Sequence, residues 1–176
     1  ETINWMAYDL AGDENPVSTA LVDLAAFFRN ALSSSGYLIS IDEEIKYTKD
    51  YINILYLRYS ELFDVKWDID NSILSCTIIK LCLQPIIENA VYHGFKPKAG
   101  KGLLRISGFR SGGKIIIVVA DDGVGMDETL LSVLNTKLSS GIYSEDGSHI
   151  GMANVNNRIK ILFGDEYGIF LDSRPG

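Results

Sequence analysis

The sequence predicts an α+β fold: a two-layer sandwich of helices on a sheet from roughly residue 64 onward, preceded by a helical hairpin. Three observations predict it. Apolar residues recur at alternating steps of four and three through the first 63 positions, and period-two alternation then takes over at "VKWDID" and on both sides of a turn in "LLRISGFRSGGKIIIVVA". Helical patterns stand between and after those strands, an order that suits an α+β arrangement. With 176 residues, 47% of them hydrophobic and only four prolines, the chain has material for one ordinary domain with an appendage.

The first seam is Val17, Leu21, Leu24, Phe28 and Ala31; the second is Ile41, Ile45, Thr48, Ile52, Leu55, Tyr59 and Leu62. This is the rhythm of helices packed at a shallow angle. Asn15 followed by Pro16 starts the first helix, and "SSSGY", Ser33 to Tyr37, breaks it from the second. Seams of this length call for cover, either from a second chain in a four-helix bundle, the expected arrangement, or from the chain's own globular part. After "VKWDID" comes an apolar stretch from about Thr77 to His93, expected to be helical, in which Pro85 must start or kink a helix. The hairpin turns at "RSGG" and ends in Asp121. A short helix over about Glu128 to Leu134, a Gly/Ser-rich loop and a helix over about Met152 to Phe163 follow, the last with Val155, Ile159 and Leu162 inward. No internal repeat is present.

Composition excludes several classes of function. A formal charge of -7 without clustered Lys or Arg argues against a nucleic-acid surface. The two cysteines, Cys76 and Cys82, have neither zinc-site nor redox-motif spacing and read as reduced core residues of a cytosolic domain. No run reaches the ~18 apolar residues of a membrane span, and no signal-peptide pattern is seen. The first residue is Glu1 rather than methionine, which suggests a piece of a longer protein, with any membrane parts outside it.

Three short motifs carry the chemistry. In "CLQPIIENAVYHGF" the polar pair Glu88 and Asn89 sits in an apolar run with His93 four residues beyond Asn89. An amide oxygen can ligate Mg²⁺, which prefers oxygen and keeps several waters while bridging nucleotide phosphates; a buried, satisfied amide is the plainer alternative. In "ADDGVGM" a strand runs into Asp121, with Gly123 and Gly125 where the backbone turns tightly or lets a ligand approach, though such glycines also mark ordinary turns. A calcium loop is excluded there, because its ligand positions would fall on Val118 and Ala120, and no GxxxxGK[ST] phosphate loop occurs. In "HIGMANVNNRI", Gly151 opens an amphipathic helix, so backbone N–H groups and the positive dipole end suit a phosphate, or simply begin a helix after a loop.

Together and in this order the motifs resemble the N box and the two glycine boxes of the GHKL (Bergerat) ATP-binding fold, shared by histidine kinases, type II topoisomerases and MutL. The nearer resemblance is to LytS/YesM-type sensor histidine kinases, through "LQPIIENAVYHG", "DDGVGM" and "IGMANVNNRIKILFGDEYG". The segment "YTKDYINILYLRYSELF" looks like that family's dimerisation region, so residues 1–63 are expected to be a partial dimerisation region and 64–176 the ATP-binding catalytic domain.

The resemblance implies ATP and Mg²⁺ as cofactors, with Asn89 as the metal ligand. Asp121 would accept a hydrogen bond from the adenine amino group, which selects against guanine because guanine offers a carbonyl there. Gly123 and Gly125 would pass close to the base, Met126 to Ile150 would form a lid, and Gly151, Met152 and Asn154 would lie at the phosphates. Pro85 occupies the place where many relatives carry an acidic or amide residue. Glu88 lies about 100° round the helix from that direction, so its expected role is to orient a metal-bound water rather than to act as a general base. Tyr92 stands where many kinases have a phosphate-binding lysine, leaving Lys96 or Lys98 to supply charge. His149 replaces a glycine of the last motif and either stiffens the lid, reaches a phosphate or, as the expected reading, is a solvated loop histidine. His93 is expected as a ring against the nucleotide or as a satisfied core histidine.

The family's phosphoacceptor lies in an N-P-H-F motif just before a segment like "ETINWM", and neither His93 nor His149 has that context. The expected function is therefore the ATP-binding and kinase module of a two-component sensor histidine kinase, passing the γ-phosphoryl group to histidine and on to a response regulator, without autophosphorylating alone. Expected partners are the response regulator and a second copy through the hairpin, with no nucleic acid and membrane contact only through other regions. The expected location is the cytoplasmic portion of a bacterial membrane sensor. "GIFLDSRPG" resembles the sequence before a final strand that is missing here. The alternatives are an ATPase switch of the MutL kind and a nucleotide-free dimerisation module.

Overall fold

In the computed structural model, residues 36–140 and 150–175 are described, and they divide into two compact units. The first hairpin helix, its Asn15–Pro16 start and the lid segment around His149 lie outside the described residues.

The first unit combines residues up to Glu61 with Asn71–Gln84. Strand β1 (Leu38–Ser40) leads into helix α1 (Ile41–Tyr59). Ser40 starts the helix physically: its hydroxyl oxygen accepts the Glu43 N–H at 3.2 Å, while the Glu43 carboxylate accepts the Ser40 N–H at 2.9 Å. Two orphan donors are thereby satisfied at once, and the Ser40 bonds hold the Glu43 carboxyl below its ordinary range. The second seam is buried within a single chain at Ile41, Ile45, Thr48, Ile52 and Leu55. Residues Thr77–Ile79, expected to be helical, instead form strand β3, antiparallel to β1 with Ile39 opposite Ile78. A 3₁₀ turn, Asn71–Ile73, precedes it, and the start of α1 is tied to this segment by Ile41 N–H to Cys76 O at 2.8 Å.

The second unit, Leu62–Asp70 with Pro85 onward, holds a three-stranded sheet of β2 (Phe63–Ile69), β4 (Gly102–Ser111) and β5 (Lys114–Asp121). The order is β2-β4-β5, parallel between the first pair and antiparallel between the second. Gly112 and Gly113 take φ of +55° and +79°, the positive pair that a two-residue hairpin turn matching strand twist requires. Phe63, Leu104 and Ile106 are fully buried on one face. That face is covered in part by Phe95, whose ring stacks on Phe63 at 5.4 Å, over a position where Gly102 has no Cβ to obstruct it.

Helix α2 (Gln84–Asn89) continues as a π turn (Ala90–Phe95), and helices α3 (Glu128–Ser140) and α4 (Ile150–Phe163) follow the sheet. Helix α3 is longer than expected because Leu134 and Leu138 are both buried where α3 meets α4, along with Met152 and Val155. Leu162 is exposed rather than inward, as are Ile161 and Phe163, so only the first half of α4 carries the core. Among the described residues no helix is long and apolar enough to cross a membrane.

The last described residues run without ladder bonds, held by side chains instead. Asn156, 1% exposed, donates to Leu138 O at 2.7 Å and accepts the Ile169 N–H at 2.8 Å. Asn135 accepts the Leu171 N–H and donates to Leu171 O.

Candidate functional site

The site begins with α2. Pro85 is tolerated in its first turn because an N–H there would have no helical partner. Ile87, Ala90 and Val91 sink into the core, which leaves Asn89 half-buried at the edge. Asn89 Nδ2 donates to Pro85 O at 2.9 Å, one turn back. Its carbonyl oxygen makes no hydrogen bond among the described residues, so that acceptor is available to a ligand. Directly after Asn89 the winding widens to the π form, with Lys96 N–H bonding Val91 O at 3.0 Å. Such a turn inside a helix is rare and concentrates at functional positions.

The π turn brings Gly94 against the end of β5. A Cβ at Gly94 would lie 2.8 Å from Asp121 Oδ1, and one at Gly123 would lie 2.5 Å from Gly94 Cα. Val124 N–H closes the junction on Gly94 O at 3.2 Å. These two glycines allow backbone to pass backbone, which no larger residue permits. Asp121 Oδ1 accepts the Gly123 N–H at 2.9 Å, fixing the carboxylate and leaving its second oxygen without a hydrogen bond among the described residues.

The third motif arrives from the other side. A Cβ on Gly151 would stand 2.9 Å from Pro85 Cβ, so the start of α4 abuts the start of α2. Asn89, Asp121 and Gly151 are thus joined through the glycine contacts to one helix and its π turn.

The remaining expected residues divide. Glu88 is half-buried beside Asn89, and His93 is exposed, which removes the core alternative for that ring. Gly125 has φ +68°, and a Cβ there would collide with the Arg174 carbonyl, so its close approach is to the chain's own end; Met126 N–H donates to Ser173 Oγ at 3.0 Å. Met152 is buried among the helix contacts, leaving its backbone rather than its side chain to face a ligand, and Asn154 is exposed. Of the two lysines, Lys98 is committed to Asp122 at 2.8 Å, while Lys96 Nζ lies 4.1 Å from the Tyr92 ring centroid. The Lys98 bond, helped by the Leu103 N–H, holds the Asp122 carboxyl below its ordinary range.

Gly94, Pro85 as the seat of Gly151, and the two asparagines of α3 and α4 were not singled out as contacts by sequence. Gly94 carried a signal, a glycine within an apolar helical run, whereas Asn135 and Asn156 look like surface residues until the chain end is seen beside them. Among the described residues no group of three or more His, Cys, Asp or Glu is placed to hold a metal, so a cage built wholly of such side chains is not present there.

A helix carrying an amide with a spare acceptor oxygen, a strand-end carboxylate and a glycine-started helix, on an α+β sandwich, match the pattern of a histidine kinase-like ATPase. Residues 77–176 match the family described as "Histidine kinase-, DNA gyrase B-, and HSP90-like ATPase", and residues 1–63 match "Histidine kinase". The chain belongs to this ATPase family, and within it to the sensor histidine kinases of the LytS/YesM type. It is 31% identical to "Sensor histidine kinase YesM" of Bacillus subtilis over 98% of this chain and 28% of that protein. It is 35% identical to "Sensor histidine kinase YpdA" of Escherichia coli over 72% of this chain and 21% of that protein. With "Sensor protein LytS" of Oceanobacillus iheyensis the identity is 29% over 83% and 25%. The chain thus spans between 21% and 28% of the length of these curated relatives.

Proposed function

We propose that the chain is the ATP-binding and kinase module of a bacterial two-component sensor histidine kinase. The observation that supports this best is the convergence of three motifs on one helix and its π turn: Gly94 against Asp121 and Gly123, and Gly151 against Pro85.

In this reading Asn89 Oδ1 ligates a magnesium ion and Asp121 receives the adenine amino group with the oxygen that Gly123 does not use. The donor set fits: a neutral amide oxygen already oriented by Pro85, with other oxygens left to phosphates and water, is how magnesium is ordinarily held. When bound, the ion offsets charge on the transferring phosphoryl group. Glu88 orients water beside it, His93 lies along the nucleotide, and the backbone at Gly151 and Met152, with Asn154, meets the phosphates. Lys96, held over Tyr92, supplies the positive charge, since Lys98 is neutralised by Asp122. Gly123 and Gly125 shape the loop that carries Asp121; within the expected lid, Met126 to Ile150, the residues Glu128–Ser140 form α3 packed on α4, so closure falls to the part of the lid outside that helix.

The phosphoryl group then passes to a histidine other than His93 or His149, and from there to a response regulator. The chain acts as a homodimer through its helical region, within the cytoplasmic portion of a membrane sensor. Calorimetric titration tests the core of this proposal: the unmodified chain should bind Mg-ATP, with affinity reduced in both Asn89→Ala and Asp121→Asn. No binding heat from the unmodified chain would sink it.

A further inference from the structure

From Ile169 to Arg174 the half-buried Ile169, Leu171 and Ser173 alternate with the exposed Phe170, Asp172 and Arg174. A period of two is that of an extended segment with one side turned inward. The run is pinned at successive points, all within the second unit: Ile169 by Asn156, Leu171 by Asn135, and Ser173 by the backbone that follows Asp121. The first two contacts tie it to helices. The third reaches the loop on which recognition of the base depends.

That loop, Asp121 to Met126, is held from two sides. On one side Val124 N–H donates to Gly94 O at 3.2 Å. On the other, Met126 N–H donates to Ser173 Oγ at 3.0 Å, and Gly125, at φ +68°, lies so close to the Arg174 carbonyl that a Cβ would collide with it. Glycine enters left-handed backbone easily and leaves it as easily, so a loop built on glycines needs outside anchors to keep one shape. An anchor that holds a loop in its binding shape raises affinity by removing the cost of ordering it. Within the loop Gly123 N–H occupies one oxygen of Asp121 at 2.9 Å, so the direction of the carboxylate follows the course of the loop. We propose that Ser173 is a positioning residue for base recognition: by fixing Met126, its hydroxyl keeps the loop in the shape that aims the second oxygen of Asp121 at the adenine amino group. This rests on the role of Asp121 given above. Asn89 is oriented by Pro85 instead, so the contribution of magnesium is independent of this contact.

The test compares ATP and GTP affinities of the 176-residue chain by competition binding in Mg²⁺, at a temperature where circular dichroism shows every variant folded. Ser173→Ala should weaken ATP about fivefold, the weight of one ordinary hydrogen bond, and leave GTP unchanged because guanine gains nothing from the Asp121 acceptor. Ser173→Thr keeps the hydroxyl and should retain the affinity and the preference of the unmodified chain. Phe170→Ala, on the exposed side of the same run, should retain both as well. With a preference that Asp121→Asn narrows, any of three results overturns the inference alone: unchanged ATP affinity in Ser173→Ala, an equal loss of ATP and GTP in it, or the same narrowing in Ser173→Thr or Phe170→Ala. An unmodified chain without a preference for ATP, or an Asp121→Asn variant that keeps it, overturns the role of Asp121 and this inference with it. Should Ser173→Ala not fold, amide exchange on the unmodified chain decides: at equal occupancy the Met126 amide should exchange more slowly with ATP bound than with GTP, and equal exchange overturns the inference.

Discussion

Gly151 rests on Pro85 so closely that a methyl group on the glycine would stand 2.9 Å from the proline Cβ. Helix propensity alone favours alanine at such a position by up to about 1 kcal/mol. Overpacking typically costs about 1–3 kcal/mol, so the contact wins. Gly151→Ala should therefore lower stability by about 1 kcal/mol in urea unfolding and weaken ATP binding. A more stable variant with unchanged affinity would show that the two helix starts need not touch.

In the proposed site Asp121 would offer a carboxylate where guanine would place a second acceptor. Asp121→Asn keeps the shape but adds a donor that can meet a guanine carbonyl. ATP affinity should fall while the preference for ATP over GTP narrows, by about 1–3 kcal/mol of discrimination from the lost acceptor pairing. Competition binding with both nucleotides measures this, and an unchanged ratio would remove the base from Asp121.

Asn156 satisfies a buried carbonyl and a part-buried amide at once, Leu138 O, which Lys160 Nζ also reaches at 3.5 Å, and Ile169 N–H. Asn156→Ala leaves both without that partner, at about 1–3 kcal/mol each. A loss of about 3 kcal/mol in denaturant unfolding is expected, with faster proteolysis after residue 164. Equal proteolysis rates would mean that the end of the chain is held by other contacts.

Glu44 gives a pH dependence with a definite sign. Burial pushes its carboxyl above the ordinary 4.5, against the opposing pull of the Leu83 and Leu81 amides. The folded state therefore holds the proton to higher pH than the unfolded chain does. The stability this contributes is fully present below 4.5 and is lost as pH rises through the raised value. Relative to Glu44→Gln, the wild type should lose stability as pH climbs above 4.5, with a slope of at most about 1.4 kcal/mol per pH unit. Parallel stability curves for the two proteins would contradict this.

What was legible in the sequence was what is local. The alternation in "VKWDID", the glycine pair at 112 and 113 and the spacing in α1 each depend on neighbours within a few residues, and the structure matches them. The three motifs were also legible, because their residue types are unusual for their surroundings. Thr77–Ile79 was missed as a strand because its pairing with Leu38–Ser40 joins segments far apart in the chain. The full length of α3 was missed for the same reason, since Leu138 is buried by α4 and Asn156. Glu44 resembled any acidic residue in the first turn of a helix, and its burial under the Leu81 and Leu83 amides depends on a segment far along the chain.

The π turn at Ala90–Phe95 changes how positions should be counted along this helix. Fixed offsets from Asn89 correspond to directions round the helix only on an evenly wound cylinder. In the wider winding each bond spans five residues rather than four, so the position above Asn89 falls between His93 and Gly94 instead of between Tyr92 and His93. Tyr92 therefore does not point where an α-helical residue three places on would point, and its ring instead lies under Lys96. Counting along this segment as if it were evenly wound would pair the right letters with the wrong directions.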